Sequence, residues 1–379
     1  MKFQDRKIKE SVKMISNKYL ALLGLTLIAG FPAAHAVDFG AFGDISYQGD
    51  TQKGSADHFA VGQFDLYATQ KIDPKTRAFV EIVFEDPGDG YVLDLERLNL
   101  TRDITPNFYV SMGRYHNPIG YWNTAYHHGA IIQDTVLRPT FLDFEDGEGA
   151  ILPTHIIGVM GGGKVSTGAG DLKYMLTVGN GSSIDTDNVA SGATEIDVHI
   201  TNDNQDKKMV VGNATFKLSS MPLEFGVFAL HDPFSESGSG GFSGAATGSD
   251  LFSMMVYGGH VRYATRKFDV TGETYNFEDK DKVGTAGTNK ASAYYVQAGY
   301  RVTDKVKTIY RFENVDYLAK DVYFQYHPTP EGSRHVVDLR YDLDDTNALK
   351  FEIARFQSTD TNRWKDYTYY AVQWAFLML

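Results

Sequence analysis

The segment HVVDLRYDLDDTNALKFEIARFQ (335–357) reads as a strand, a turn and a second strand. In its first part Val337, Leu339, Tyr341 and Leu343 alternate with Asp338, Arg340 and Asp342. Side chains of an extended chain point to opposite faces with a period of two, so this segment has one apolar and one charged face. DDTN (344–347) then offers the Asp and Asn side chains that favour a tight turn.

The same alternation fills the rest of the chain. In AVGQFDLYATQ (60–70), Ala60, Gly62, Phe64, Leu66 and Ala68 fall on one face and Gln63, Asp65, Tyr67 and Thr69 on the other. In DLKYMLTVG (171–179), Leu172, Tyr174, Leu176 and Val178 oppose Lys173 and Thr177. Sixteen such runs have cores at 38–48, 59–71, 77–85, 91–102, 107–115, 155–166, 171–180, 208–218, 223–232, 254–265, 268–278, 292–302, 306–318, 335–343, 348–357 and 366–379. The gaps between them alternate in length. Short ones include DPKT (73–76), DITP (103–106), SSMP (219–222), TDK (303–305) and DDTN; long ones are 49–58, 116–154, 181–207, 233–253, 279–291, 319–334 and 358–365. Short turns at one end and long loops at the other predict an all-β fold, a transmembrane antiparallel up-and-down barrel of about 16 strands. The Gly/Ser-rich piece SESGSGGFSGAATGSD (235–250) has similar strands on both sides, which makes it a mobile external loop within one domain.

Residues 1–36 carry a different signal. Lys2, Arg6, Lys7, Lys9, Lys13 and Lys18 precede an apolar stretch from Leu20 to Phe31, and the segment closes on Ala34-His35-Ala36. The apolar stretch is too short to span a bilayer, which takes roughly 20 residues, and the small-x-small ending fits a signal-peptidase site. These features predict a secretory signal peptide cut after Ala36, with the barrel formed by 37–379; residues 14–36 alone would also suffice, leaving Met1 and Met14 as alternative starts. Six of the 36 Lys/Arg and two of the 48 Asp/Glu fall in this segment, leaving 30 against 46, a net −16. Such a balance argues against nucleic acid as a partner. With no Cys, the exported chain is not a disulfide scaffold. No later run is apolar and long enough for a transmembrane helix, so export points to periplasm, secretion or an outer-membrane barrel.

The longest gap, 116–154, reads HNPIGYWNTAYHHGAIIQDTVLRPTFLDFEDGEGAILPT from His116, and a loop of that size inside a compact fold is usually functional. It follows the fifth strand as the third long loop. The chain here resembles the sixteen-stranded bacterial outer-membrane porins, and most of all the phosphate-selective and related substrate-selective porin families. GRYHNPIG (113–120) resembles the way their fifth strand runs into the third loop, and the C-terminal TYYAVQWAFLML resembles the assembly signal of outer-membrane barrels, although it ends on Leu379 and not on Phe. The resemblance implies a third loop folded into the lumen, and a passive diffusion channel for small hydrophilic or ionic solutes. It also implies a homo-trimer in outer-membrane lipid, with no cofactor and no enzymatic activity. The Arg and Lys ladders of phosphate porins are not clearly reproduced, which leaves the solute open.

Strand parity selects Asp65, Glu81, Arg97, Arg114, Lys173, Lys217, Glu224, His260, Arg262, Glu273, Arg301, Arg311, Glu313, Arg340 and Glu352 as inward wall residues, because a charge on the lipid face costs roughly 2–4 kcal/mol near mid-membrane. The loop offers Asp134, Asp143, Glu145, Asp146 and Glu148 against them. An acidic loop facing a basic wall would set a field across a constriction; the alternative is that these charges form structural ion pairs. Folding the loop inward would also hide Phe141, Leu142 and Phe144. His127 and His128, bracketed by His116 and His155, raise the question of metal. Adjacent imidazoles do not easily share one tetrahedral ion, and no HExxH or CxxC accompanies them, so no metal site is expected and the histidines are read as packing the loop. No GxSxG frame occurs, and the MGGGK run (160–164) lacks phosphate-loop spacing. Two other readings stay open: a barrel that sheathes a periplasmic partner, which needs an open lumen, and an outer-membrane hydrolase, which lacks a nucleophile frame.

Overall fold

A computed structural model describes residues 37–379 apart from 53, 86–89, 128, 146–148, 192–194 and 199–206. The expected signal peptide, His128, Asp146 and Glu148 lie outside the described residues. The strands are β1 (Asp38–Asp50), β2 (His58–Asp73), β3 (Thr76–Glu85), β4 (Val92–Thr105), β5 (Phe108–His116), β6 (His155–Ser166), β7 (Gly170–Asn180), β8 (Ser183–Ile184), β9 (Lys208–Leu218), β10 (Leu223–Glu236), β11 (Asp250–Ala264), β12 (Phe268–Asp281), β13 (Thr288–Arg301), β14 (Val306–Asp316), β15 (Gly332–Asp342), β16 (Asn347–Ser358) and β17 (Tyr367–Met378). β8 is a two-residue piece lying parallel to the end of β10. The other sixteen pair antiparallel with their neighbours in the chain, β7 pairing directly with β9. β1 pairs with β17 from Ala41–Met378 to Asp50–Tyr369, and this closes the barrel.

Each of the sixteen expected runs is a strand, because alternation over eight or more residues satisfies a strand with unlike surroundings on its two faces. The outer face is apolar and open: Val337, Ile353, Val227 and Met112 are each about 60% exposed. The inner face holds the charges, with Asp65, Glu81, Arg311 and Lys350 fully buried. A soluble protein inverts this arrangement and rarely leaves so continuous an apolar surface in water. Closure removes every free strand edge, which a hydrocarbon phase demands. The chain is therefore an outer-membrane type of barrel.

The tight turns form where short polar residues cap the backbone. Asp73 Oδ1 accepts from the amides of Lys75 and Thr76 at 2.8 and 3.0 Å, and Asp344 Oδ1 from Thr346 at 2.8 Å. At the long-loop end several strands run further than the alternation indicated. β10 continues through Pro233 to Glu236, paired with β11 as far as Ser235, and β12 continues to Asp281, so the Gly/Ser-rich loop between β10 and β11 is shorter than 233–253. The 319–334 gap contains a five-residue helix, Val322–Tyr326, before β15 starts at Gly332.

One register reading needs correction. Ala60 and Gly62 do not share the apolar face of Phe64, Leu66 and Ala68. The β1–β2 ladder jumps from Gly43–Phe64 to Ile45–Val61, a bulge that reverses the phase. Phe59 and Val61 point out instead, and a Cβ on Gly62 would meet the inner-face Asp44 carboxylate at 2.3 Å.

Candidate functional site

The loop between β5 and β6 carries little regular structure: one helical turn at Trp122–Ala125 and a 3₁₀ turn at Thr140–Leu142. Most of its described residues are buried, Trp122, Phe141 and Leu142 completely. A buried irregular segment must find partners for its backbone amides and carbonyls. Inner-face side chains of β12 to β16 supply them.

Carboxylates take the amides. Glu273 accepts from the backbone of Tyr121 at 2.9 Å and Trp122 at 2.6 Å, and also from the hydroxyls of Tyr275 and Tyr295, both at 2.6 Å. Glu352 accepts from Val136 and Leu137 at 2.8 and 3.1 Å, and Glu313 from Thr140 at 2.7 Å. Cations take the carbonyls. Arg311 donates to the carbonyls of Leu137 and Arg138 at 2.9 and 3.1 Å and to the Thr135 hydroxyl at 2.7 Å. Arg340 reaches the Gln133 carbonyl at 2.9 Å, Lys350 the carbonyls of Ala130 and Thr135, and Arg334 the carbonyl of Arg138. Behind these bonds lies an apolar cluster in which Ile119, Trp122, Phe141 and Leu142 of the loop meet Phe228, Tyr275 and Tyr295. Trp122 packs edge-on to Tyr295, and Phe141 edge-on to Tyr275.

On the side of β1 to β4 and β17 the loop leaves space. One cavity of about 300 Å³ is lined by Phe42, Tyr67, Phe79, Glu81 and Arg97 of the wall and by His116, His127 and Ile131. Another of about 230 Å³ lies among Asp44, Arg138, Asp143, Arg334, Tyr369 and Gln373. Arg97 bonds Glu81 and lies over the Phe79 ring at 4.4 Å.

The residues singled out from the sequence therefore divide. Glu81, Arg97 and Asp143 line the cavities. Arg311 and Arg340 are bonded to the loop. Arg262 lies over the Tyr121 ring at 5.3 Å. Arg114 is buried, and its Nε donates to the Glu96 carbonyl at 2.9 Å. The backbone there is distorted at Gly113, whose φ of +136° suits glycine and where a Cβ would strike the Leu98 carbonyl. Of the loop acids, Asp134 meets a wall cation as expected, Lys307 Nζ at 2.7 Å. Asp143 is half-buried beside Arg138 and Arg334, and desolvation pushes its carboxyl up despite them. Glu145 faces no Arg ladder: it accepts from the amide and the ring of His155 at 2.7 and 3.0 Å. Two of the three described loop acids thus lie beside a wall cation, Asp134 by Lys307 and Asp143 by Arg334, and Glu145 does not. The loop's backbone, more than its carboxylates, meets the charged wall. Glu273, Glu313 and Glu352, inward by strand parity, carry much of that contact, together with Arg334 and Lys350, which strand parity does not select.

Three of the histidines pack together, their rings 4.0–5.5 Å apart. His116, His127 and His155 converge with Glu96, their potential ligand atoms all within 4.8 Å of one another. The objection that adjacent imidazoles cannot share an ion does not apply, because these three are not adjacent in sequence. Glu96 was hidden by a bulge. The β3–β4 ladder steps from Glu81–Arg97 to Ile82–Leu95, so Glu96 and Arg97 both turn inward where strict alternation would send one to lipid.

Neither a protein-family model nor a curated protein matches this chain. Solved structures do. The anion-selective porin from Comamonas acidovorans is similar with a TM-score of 0.60 and 12% identity, over 90% of this chain and 99% of that one. The outer membrane channel DcaP of Acinetobacter baumannii is similar with a TM-score of 0.60 and 12% identity, over 92% and 100%. The trimer form of OmpT, an outer membrane protein of Vibrio cholerae, gives 0.56 and 12%, over 91% and 99%. At these identities the likeness is one of fold, and the fold is that of outer-membrane porins and channels.

Proposed function

We propose that this barrel is a porin: a passive, non-enzymatic diffusion channel for small hydrophilic or ionic solutes, narrowed by the loop between β5 and β6. The observation that carries the reading is the bonding of that loop to inner-face side chains of β12 to β16 by Glu273, Glu313, Glu352, Arg311, Arg340 and Lys350. A loop held this way lies across the lumen, and the cavities beside β1 to β4 are then segments of the remaining path. Their lining is mixed in sign, with Arg97, Arg138 and Arg334 among Asp44, Glu81 and Asp143. Opposed charges at a narrow point orient dipolar and ionic solutes. A sheath around a partner protein would need the space that the loop takes. By analogy with the porin-like barrels, among which a trimer form occurs, the assembly is proposed as a homo-trimer.

The test is reconstitution of purified, folded protein in planar bilayers. Discrete conductance steps with an ion preference set by the lining residues are expected. A folded, heat-modifiable barrel that inserts and passes no current would overturn the proposal.

A further inference from the structure

We propose that Glu96, His116, His127 and His155 form a site for one divalent transition-metal ion, with zinc the best fit. The inference rests on this cluster and does not depend on the channel reading.

Three imidazoles and one carboxylate make a donor set suited to zinc and its neighbours. The spacing agrees. Ligand bonds of about 2.0–2.1 Å in a tetrahedron place donor atoms about 3.3 Å apart. Glu96 Oε1 lies 3.4 Å from His116 Nε2 and 3.5 Å from His127 Nε2, and His155 Nε2 touches the same oxygen more closely. The rings of His116 and His127 are 4.0 Å apart and those of His127 and His155 4.5 Å. All of these groups except His116 are buried, and His116 lines the 300 Å³ cavity that leads to the cluster.

The surrounding hydrogen bonds turn two imidazoles the right way. Asn123 Nδ2 donates to the carbonyls of Asn117 and Thr154, at 2.8 and 2.9 Å. Its Oδ1 must therefore accept, and it faces His127 Nδ1 at 2.5 Å. This contact is much shorter than the 3.5 Å from Arg138 to the same nitrogen, so it assigns the proton to Nδ1. His155 Nδ1 likewise faces the Glu145 carboxylate at 3.0 Å. In both rings Nε2 is the nitrogen turned toward Glu96, and His155 Nε2 is hydrogen-bonded to Glu96 Oε1. Carboxylate or amide partners on the outer nitrogen are the usual support of metal-bound histidine. On binding, a divalent ion would take the place of the proton now shared between His155 Nε2 and Glu96 Oε1.

The chain assembles this set from separate places. His116 and His155 are direct cross-strand partners where β5 and β6 meet the loop. Glu96 is the bulge residue of β4. His127 follows the single helical turn of the loop, four residues after its supporting Asn123. An ion here would tie both stems of the loop, its helical turn and the wall at one point.

The experiment uses untagged full-length protein, folded in detergent and stripped with a chelator. It is then loaded with Zn²⁺ or Co²⁺, desalted and assayed for metal per folded chain. About one ion per chain is expected, with the intense visible bands of four-coordinate Co²⁺. His116→Gln together with His127→Gln should remove both signals while the barrel stays heat-modifiable. Glu145→Gln should keep the stoichiometry but weaken affinity roughly 10–100-fold. If the double variant does not fold, Glu96→Gln alone must lower metal retention and change the cobalt spectrum, since three histidines and a water would then complete the site. A wild-type barrel that retains no ion, its cluster filled by protons alone, overturns the site. So does retention unchanged by these substitutions. Conductance measured on the chelated protein is a separate readout, so loss of the metal site would leave the channel reading to its own test.

Discussion

The inner wall has two halves that treat the same kinds of side chain differently. On β12 to β16, Arg311 is fully buried and committed to Thr135, Leu137 and Arg138. On β3 and β4, Arg97 keeps 27% of its side chain exposed, pairs with Glu81 and borders a cavity. Alternation places both inward for one reason, the high energy of a charge against lipid. What an inward charge then does depends on whether the loop lies over it. Under the loop it replaces the water that an irregular backbone would otherwise need; away from the loop it borders an open cavity.

The largest expected break in this comparison is removal of the loop itself. Shortening it between Ala130 and Gly149 deletes the acceptors and donors of Arg311, Lys350, Glu313 and Glu352. Water can hydrate those side chains once the space is open, so the barrel should still close and remain heat-modifiable. Single-channel conductance should rise severalfold. An assembled barrel that conducts no better than the parent would place the loop outside the path.

Next in size is a single cut on the bonded half. Arg311→Met leaves the carbonyls of Leu137 and Arg138 short of a donor in a dry site. Breaking a buried charged network from one side costs about 3–5 kcal/mol. The temperature at which the folded band disappears should fall clearly, with noisier current as the loop loosens. Arg97→Gln sharpens the contrast from the other half. It removes a cation that borders the cavity and leaves Glu81 in place, so the reversal potential in a salt gradient should move toward cation preference. The melting temperature should change less than for Arg311→Met, because a partly hydrated pair contributes less than a buried one. Equal losses of stability in the two variants would erase the distinction between the halves.

Most of the barrel could be read from the sequence. Alternation is imposed locally by lipid on one side and water or polar groups on the other, so every strand announces itself, and the turn residues mark the short end. The missing parts are those that alternation does not encode. A bulge at Glu96 and another between β1 and β2 shift the phase without a distinctive residue. Which wall charge meets which loop amide depends on the loop's path, and bonds such as Glu352 to Val136 join residues more than two hundred positions apart. The histidine cluster was half visible: His116 and His155 end two antiparallel neighbours, and that alone makes them cross-strand partners. The inward turn of Glu96 was not visible.

The smallest expected effect tests how a second loop supports the first, and it is confined to acid pH. In the helix-bearing loop between β14 and β15, His327 is buried and donates from Nε2 to the Ala150 carbonyl at 2.5 Å. Burial pushes this imidazole down to about 4, against the pull of that hydrogen bond. In the unfolded chain it would take a proton near 6.5. A folded value below the unfolded one means that the neutral group's contribution is complete above about pH 6.5 and is lost as pH falls toward about 4. His327→Gln keeps an N–H donor for Ala150 but cannot titrate. At pH 8 the variant should melt slightly below the parent, because the amide fills the site less well. By pH 5 the parent should have lost about 2 kcal/mol at this position, following the 1.36 kcal/mol per unit of pH that one proton carries. The variant should lose none from it. Melting of the folded band at the two pH values checks this: the difference should shrink or reverse on acidification. Parallel losses in parent and variant would mean that His327 titrates freely, and that its contact with Ala150 does not tie the two loops together.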